Sequence, residues 1–250
     1  MKYTFLLFSF ALLILSCKQT QHLAKVESGN KEFSKDKNKS TDEEIQEIIN
    51  PYKTQMDKQM NRVLGEFHEE IIKAQPESTM GNFCADAIYK MAKDYNGDSI
   101  AFAIQNYGGM RLPSIAAGEV TRGKMYELMP FENRMFILDM NGAEVLKLVE
   151  HMTTRGGWPT SASIRYEIFQ NKPIEIKIHN APLDSEAIYK VAMPDYIANG
   201  GDNLDFLIPI KRKETDKLIR KAFIEYIIEH TFSGIQVTPV IDGRISIRNN

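Results

Sequence analysis

Two stretches of apolar and polar alternation, Ser163 to Phe169 and Ile174 to Ile178, flank Gln170-Asn171-Lys172-Pro173 and read as a β-hairpin. No other local signal constrains the fold as much. The hairpin puts antiparallel strands into a chain whose helices and strands otherwise interleave, and so excludes a purely parallel sheet. The remaining segments follow from capping and periodicity. Thr41-Asp42-Glu43-Glu44 opens a helix carrying Ile45, Ile48, Ile49 and Tyr52 at helical spacing, and Arg62 to Phe67 is a candidate strand. Ser78 caps a helix with Met80, Phe83, Ala87, Ile88 and Met91 on one face, which ends at the turn signal Tyr95-Asn96-Gly97. Ser99 to Gln105 reads as a buried strand, Thr121 starts a helix, Arg134 to Met140 is a strand, and Asn141-Gly142 begins a helix through Met152. Tyr189 to Met193 adds a strand, Glu214 to His230 a helix, and Arg244 to Ile247 a last strand. The expected class is α/β or α+β, a single domain with a mixed β-sheet and flanking helices.

The N-terminus points to an extracytoplasmic chain. After Lys2 an apolar run from Tyr3 to Leu15, too short to span a bilayer, ends at Ile14-Leu15-Ser16-Cys17, the pattern of a lipoprotein signal peptide and lipobox. Residues 1–17 are then signal peptide and lipobox, and cleavage before Cys17 would make it the lipidated first residue, with the protein membrane-anchored and facing the periplasm or the cell surface. Residues 18–42, rich in Lys, Ser, Asn, Gln and Asp, read as a flexible tether, and 43–250 as the folded domain. Cys84 is then the one remaining thiol, in an apolar helical setting that suits a small buried hydrophobe. With no internal disulfide available, a hydrophobic core must hold the domain. Formal charge is −2 and the basic residues are dispersed, which argues against nucleic-acid binding.

Three loop motifs carry chemistry. Asn106-Tyr107-Gly108-Gly109-Met110-Arg111 offers two glycines that can turn the backbone toward a ligand and a forked guanidinium. Pro130-Phe131-Glu132-Asn133 places an aromatic ring on a short connection, where alone it reads as a core plug. Asp195-Tyr196 followed by Asn199-Gly200-Gly201-Asp202 sets a ring beside a turn that returns a carboxylate. Two aromatic faces, a guanidinium, a carboxylate and two amides are what a flat, ribose-bearing ligand requires.

These motifs, with Glu77-Ser78-Thr79-Met80-Gly81-Asn82 ahead of them, resemble in order and spacing the C-terminal substrate-specificity domain of the 5′-nucleotidase family, over about Asn61 to Ile247. The resemblance implies that Phe131 and Tyr196 sandwich a nucleobase and that Asp202 accepts from ribose hydroxyls. It further implies that Arg111 contacts the ribose or phosphate side and that Asn106 and Asn133 address ligand or base edges; Gly108, Gly109 and Gly201 complete the expected substrate-binding set. Gly157-Trp158-Pro159 resembles a further loop near the same pocket. The chain departs from the family pattern at Tyr107, where a small residue is usual, and at Glu132, where glycine is common. A family arginine expected shortly before Glu77 has Lys73 as its nearest cation.

No catalytic residue is expected. His22, His68, His151, His179 and His230 are scattered, with no Asp-x-His or Gly-Asn-His-Glu box, so no cofactor or metal is assigned to this chain. The resemblance implies two divalent metals in the N-terminal metallophosphatase domain of full-length family enzymes, so here they are expected only in a separately encoded metallophosphatase partner. The leading expectation is therefore a nucleotide- or nucleoside-binding specificity subunit of a 5′-nucleotidase-type hydrolase. The alternative is a non-catalytic nucleotide or nucleoside binding lipoprotein, a scavenging protein or a receptor; an interaction module with a decayed site is a third reading.

Overall fold

The structure, a computed structural model, describes residues 43–97 and 99–249. The lipobox, Cys17 and the tether lie outside them. Helix α1 (Glu43–Met60) comes first, with Pro51 inside it and Ile48, Ile49, Tyr52 and Met56 exposed. No described helix is long and apolar enough to cross a membrane.

The central sheet has the order β11-β6-β10-β3, built from β3 (Ile100–Ala103), β6 (Arg134–Asn141), β10 (Ile188–Pro194) and β11 (Arg212–Leu218). β10 is parallel to β3 and antiparallel to β6, and β6 is antiparallel to β11, so the sheet is mixed. Period-two alternation along β6 and β10 sorts side chains to opposite faces. Met135, Ile137 and Ala192 join a core with α2 (Thr79–Asn96) and α6 (Ile219–Phe232). Phe136, Leu138, Val191 and Met193 join a second core with α4 (Gly142–Thr154) and the outer sheet. That outer sheet has the order β12-β7-β8-β9, from β7 (Ile164–Phe169), β8 (Lys172–Ile178), β9 (Ala181–Pro182) and β12 (Ile245–Ile247). Burying each Phe, Ile or Leu in these layers contributes about 1.5–3 kcal/mol. Two short antiparallel pairs complete the described fold: β1 (Val63–Phe67) with β5 (Gly118–Thr121), and β2 (Ile71–Ile72) with β4 (Ser114–Ile115).

The caps are those the sequence implies. Ser78 Oγ accepts from Gly81 N at 3.0 Å, Thr121 caps α3 (Arg122–Leu128), and Asn141 forms a reciprocal capping box with Glu144. Two expectations are corrected. The hairpin turns on two residues rather than four: Gln170 (φ 47°) and Asn171 (φ 60°) are both left-handed, which matches the twist of a tight hairpin. Lys172 and Pro173 therefore lie in β8, with Pro173 opposite Ile168 and beyond the two residues that β9 pairs. The last helix starts at Ile219, not Glu214, because Arg212, Lys213 and Glu214 pair with β6 and Thr215 donates to the Met135 carbonyl at 2.6 Å. An open edge on β6 outweighs helix propensity there.

Asp139 on β6 accepts from Lys190 at 2.7 Å and pairs with Lys211 at 3.0 Å. Hydrogen bonds from these two lysines hold its carboxyl below the usual carboxylate range. The stabilisation is then complete above the unfolded-state pKa and lost as pH falls through the lower folded one. Asp139→Asn should lower the melting temperature clearly near neutral pH and hardly at all in strong acid. Thermal melts across the acid range check this; the same drop at both ends would contradict the ion-pair account.

Candidate functional site

The strand directions explain why distant loops meet. The C-terminal ends of β3 and β10 and the N-terminal end of β6 lie at one end of the sheet, aligned by the pairs Ala192 with Ala103 and Pro194 with Met135. The segments leaving or entering those ends carry the three motifs. Together they wall a cavity of about 390 Å³. The first loop contributes Asn106, Gly108, Gly109 and Arg111, the second Phe131 and Asn133, the third Tyr196 and Asp202. Of the nine residues expected from the sequence, only Gly201 is not on the wall. It lies behind Tyr196, where a Cβ would come within 2.6 Å of the ring and 2.5 Å of the Tyr196 carbonyl.

The first loop forms a 3₁₀ turn over Tyr107–Gly109, and Arg111 N donates to Leu128 O at 2.9 Å, tying the loop to the end of α3. Neither Gly108 nor Gly109 takes a left-handed φ, so conformational freedom is not what these glycines supply. Gly109 supplies space, since a Cβ there would fall 2.2 Å from Gln105 Nε2, whereas one on Gly108 would meet only Asn106 Nδ2, at 3.9 Å. Tyr107, the bulky departure, is not on the cavity wall. Its ring lies under Lys73 Nζ, 4.1 Å from the centroid, and that ammonium donates to Met110 O at 2.7 Å. Burial, then the charge of Arg111, lowers the Lys73 pKa.

The second loop is held from behind by a residue that the sequence did not flag. Arg220 of α6, buried, donates to the carbonyls of Met129 at 3.0 Å and Phe131 at 3.1 Å, and to Glu132 at 3.0 Å, while its guanidinium stacks 3.8 Å from the Tyr126 ring centroid. Glu132, the other departure from the family pattern, is off the cavity wall and pairs with Arg220 at 3.0 Å. The Arg111 guanidinium lies 4.8 Å from the Phe131 ring centroid, a cation–π contact.

In the third loop Asp195–Ala198 is a single helical turn, α5, followed by left-handed Gly200 (φ 90°), Asp202 (φ 55°) and Asn203 (φ 66°). Left-handed Asp and Asn cost energy that local hydrogen bonds must offset. Tyr196 OH donates to Asp202 Oδ1 at 2.9 Å and accepts from Asp202 N at 3.3 Å. Asn106 Nδ2 donates to Asp202 Oδ2 at 3.2 Å, and Arg155 at the end of α4 donates to Asp202 O at 3.2 Å. The hydrogen bond to Asp202, then burial, raises the Tyr196 pKa. An ionised carboxylate has about four acceptor sites, so roughly two remain for a ligand.

Two other family motifs lie away from the cavity wall. Trp158 is buried and meets His151 edge-on at 5.6 Å, and Gly157 (φ 95°) packs against Pro76. Glu77 accepts from Asn82 Nδ2 at 2.8 Å and from Asp242 N at 2.9 Å, so the Glu77–Asn82 box fastens the C-terminal segment to α2. Among the described residues, no three His, Cys, Asp or Glu side chains are grouped to hold a metal ion.

Fold and site define a class: a mixed α/β domain whose loops, at one end of its sheet, wall a cavity with aromatic, amide, guanidinium and carboxylate groups. The chain belongs to the family of 5′-nucleotidase C-terminal domains, whose model matches residues 63–208. It is 30% identical over 187 residues to the trifunctional nucleotide phosphoesterase YfkN of Bacillus subtilis, covering 68% of this chain and 12% of that protein. It is 27% identical over 179 residues to a probable 5′-nucleotidase of Treponema pallidum, covering 63% of this chain and 30% of that protein. The solved 5′-nucleotidase precursor of Thermus thermophilus superposes with a TM-score of 0.71 at 26% identity, over 84% of this chain and 44% of that one. The chain thus spans less than a third of either curated relative and less than half of the solved one.

Proposed function

We propose that this domain binds the base and ribose of a nucleotide or nucleoside as the specificity part of a 5′-nucleotidase-type hydrolase, with a separately encoded metallophosphatase attacking the phosphate. The observation that supports this most is the meeting of Phe131, Tyr196, Asn106 and Asp202 on one cavity of about 390 Å³. That volume suits a small ligand. Rings accept any base by stacking, the Asp202 carboxylate accepts from hydroxyls, and Arg111 offers the cationic side for phosphate. Relatives named as nucleotide phosphoesterases and 5′-nucleotidases support the same chemistry. Energy gained on the base can orient a phosphate for reaction elsewhere.

Calorimetric titration with a panel of nucleotides and nucleosides tests the proposal, alongside phosphate release with added divalent metals. Binding without turnover by this chain alone, and turnover once a metallophosphatase is added, is the expected outcome. Binding that no metallophosphatase converts to turnover would favour the scavenging or receptor reading. Turnover by the homogeneous chain would refute the division of labour.

The proposal extends to the anchor. Cys17, outside the described residues, would carry the lipid and tether the domain on an extracytoplasmic membrane face. Cys17→Ser should move the protein from the membrane fraction to a soluble or uncleaved form. Unchanged fractionation would point to a different attachment.

A further inference from the structure

We infer that Gln105 is a positioning residue: it helps fix which end of the Asn106 amide faces Asp202, and so keeps the Asp202 carboxylate a one-way acceptor for a ligand's hydroxyl pair. Gln105 is fully buried, and its Nε2 donates to Asn106 Oδ1 at 3.1 Å and to Asn106 O at 3.4 Å. With its oxygen engaged there, the Asn106 amide turns its Nδ2 to Asp202 Oδ2 at 3.2 Å. The reverse orientation would set oxygen against a carboxylate and one NH₂ against another, so both neighbours enforce the same choice.

Two observations mark Gln105 as more than filler. Its buried Oε1 has no protein partner among the described residues, an arrangement that an apolar side chain of the same length would avoid. Gly109 is the residue that leaves room for it, since a Cβ there would stand 2.2 Å from Gln105 Nε2 and 2.7 Å from Asn106 Oδ1. The consequence is directional. Asn106 and Tyr196 keep their donors on the Asp202 carboxylate, whose free lone pairs accept hydroxyls and repel phosphate or carboxylate. A ligand with a diol at one end and an anion at the other is thereby held in one sense. The identity of that ligand rests on the function proposed above; the orientation of Asn106 does not.

The test uses Gln105→Met and Gln105→Glu, read first without ligand. In otherwise wild-type protein, Asp202→Ala should shift the Asn106 side-chain NH₂ resonances. In the Gln105→Glu background, where a second carboxylate competes for that NH₂, the shift should disappear, and in Gln105→Met, where Asp202 alone orients the amide, it should shrink. The preference for a ribonucleoside over its 2′,3′-dideoxy analogue should also fall by about two- to tenfold, the equivalent of one hydrogen bond, with affinity for the dideoxy ligand unchanged. The same resonance shift in all backgrounds, with a normal melt, overturns the inference. If Gln105→Glu does not fold, Gln105→Met decides alone. If the wild type binds no nucleoside, the proposed function fails while the ligand-free resonances still decide the role of Gln105.

Discussion

Asp202→Ala should weaken ribonucleoside binding at least tenfold while scarcely changing the already poor binding of the 2′,3′-dideoxy analogue. Charge-assisted hydrogen bonds from two vicinal hydroxyls are worth about 1.5–3 kcal/mol each, and the dideoxy ligand has none to lose. The competing account is that Asp202 serves only its own turn. Its bonds to Tyr196 and Asn106 make that account concrete, and alanine at a left-handed φ of 55° adds a backbone cost of about 1–2 kcal/mol. Asp202→Asn separates the two, because asparagine tolerates left-handed backbone and keeps the shape while losing the charge. It should retain the melting temperature and still lose ribonucleoside affinity. Equal losses for both ligands, together with a lower melt, would remove Asp202 from contact with the ligand.

The second large effect concerns stability. The side chain of Arg244 is 4% exposed and donates to both oxygens of Asp86, at 2.9 and 3.1 Å, both of Asp242, at 3.0 Å each, and Thr160 O at 2.8 Å. Burial pushes the Asp86 carboxyl up despite the arginine. Burial opposes the Asp242 charge too, but Arg244 outweighs it and holds that carboxyl low. Arg244→Ala would leave Asp86 without its cation and Asp242 with only Arg165, 3.3 Å away, beside the buried Glu77, and breaking such a cluster costs about 3–5 kcal/mol. The carboxylates are about a quarter exposed, so the lower part of that range is expected. Arg244→Lys should recover part of the loss, since an ammonium restores charge but not the forked geometry. In the alanine variant both carboxyls should bind protons more readily, and its deficit should shrink as pH falls. Urea denaturation at neutral and acid pH reads both effects. A loss under about 1 kcal/mol would mean that the C-terminal segment is held by its apolar contacts instead.

What the sequence made legible was local. Ser78, Thr121 and Asn141 announce their helices because a cap acts within three residues, and Asn199-Gly200-Gly201-Asp202 announces a left-handed turn because few residues tolerate one. The cavity-lining residues were legible through the same short motifs. Their supports were not, because the contacts cross the chain. Arg220 reaches the Phe131 loop 89 residues away, and Arg155 reaches Asp202 47 residues away. Two of the supports had an available sign: Arg220 is a charge on the buried face of a helix, and Gln105 is a polar group ending a buried apolar run. The misplaced start of α6 has the same origin, since only an open strand edge elsewhere makes Glu214 extend rather than coil.

The Arg220 clamp also bears on where this domain can be cut. The family match stops at residue 208, yet the residue that holds Met129, Phe131 and Glu132 lies twelve positions beyond, on a helix whose preceding strand completes the edge of the central sheet. An expression fragment trimmed to the matched span would lose that strand and the clamp at once. Its first failing would be a misaligned aromatic wall. Fragments for binding work should therefore run through residue 248, so that the Arg244 cluster also stays whole.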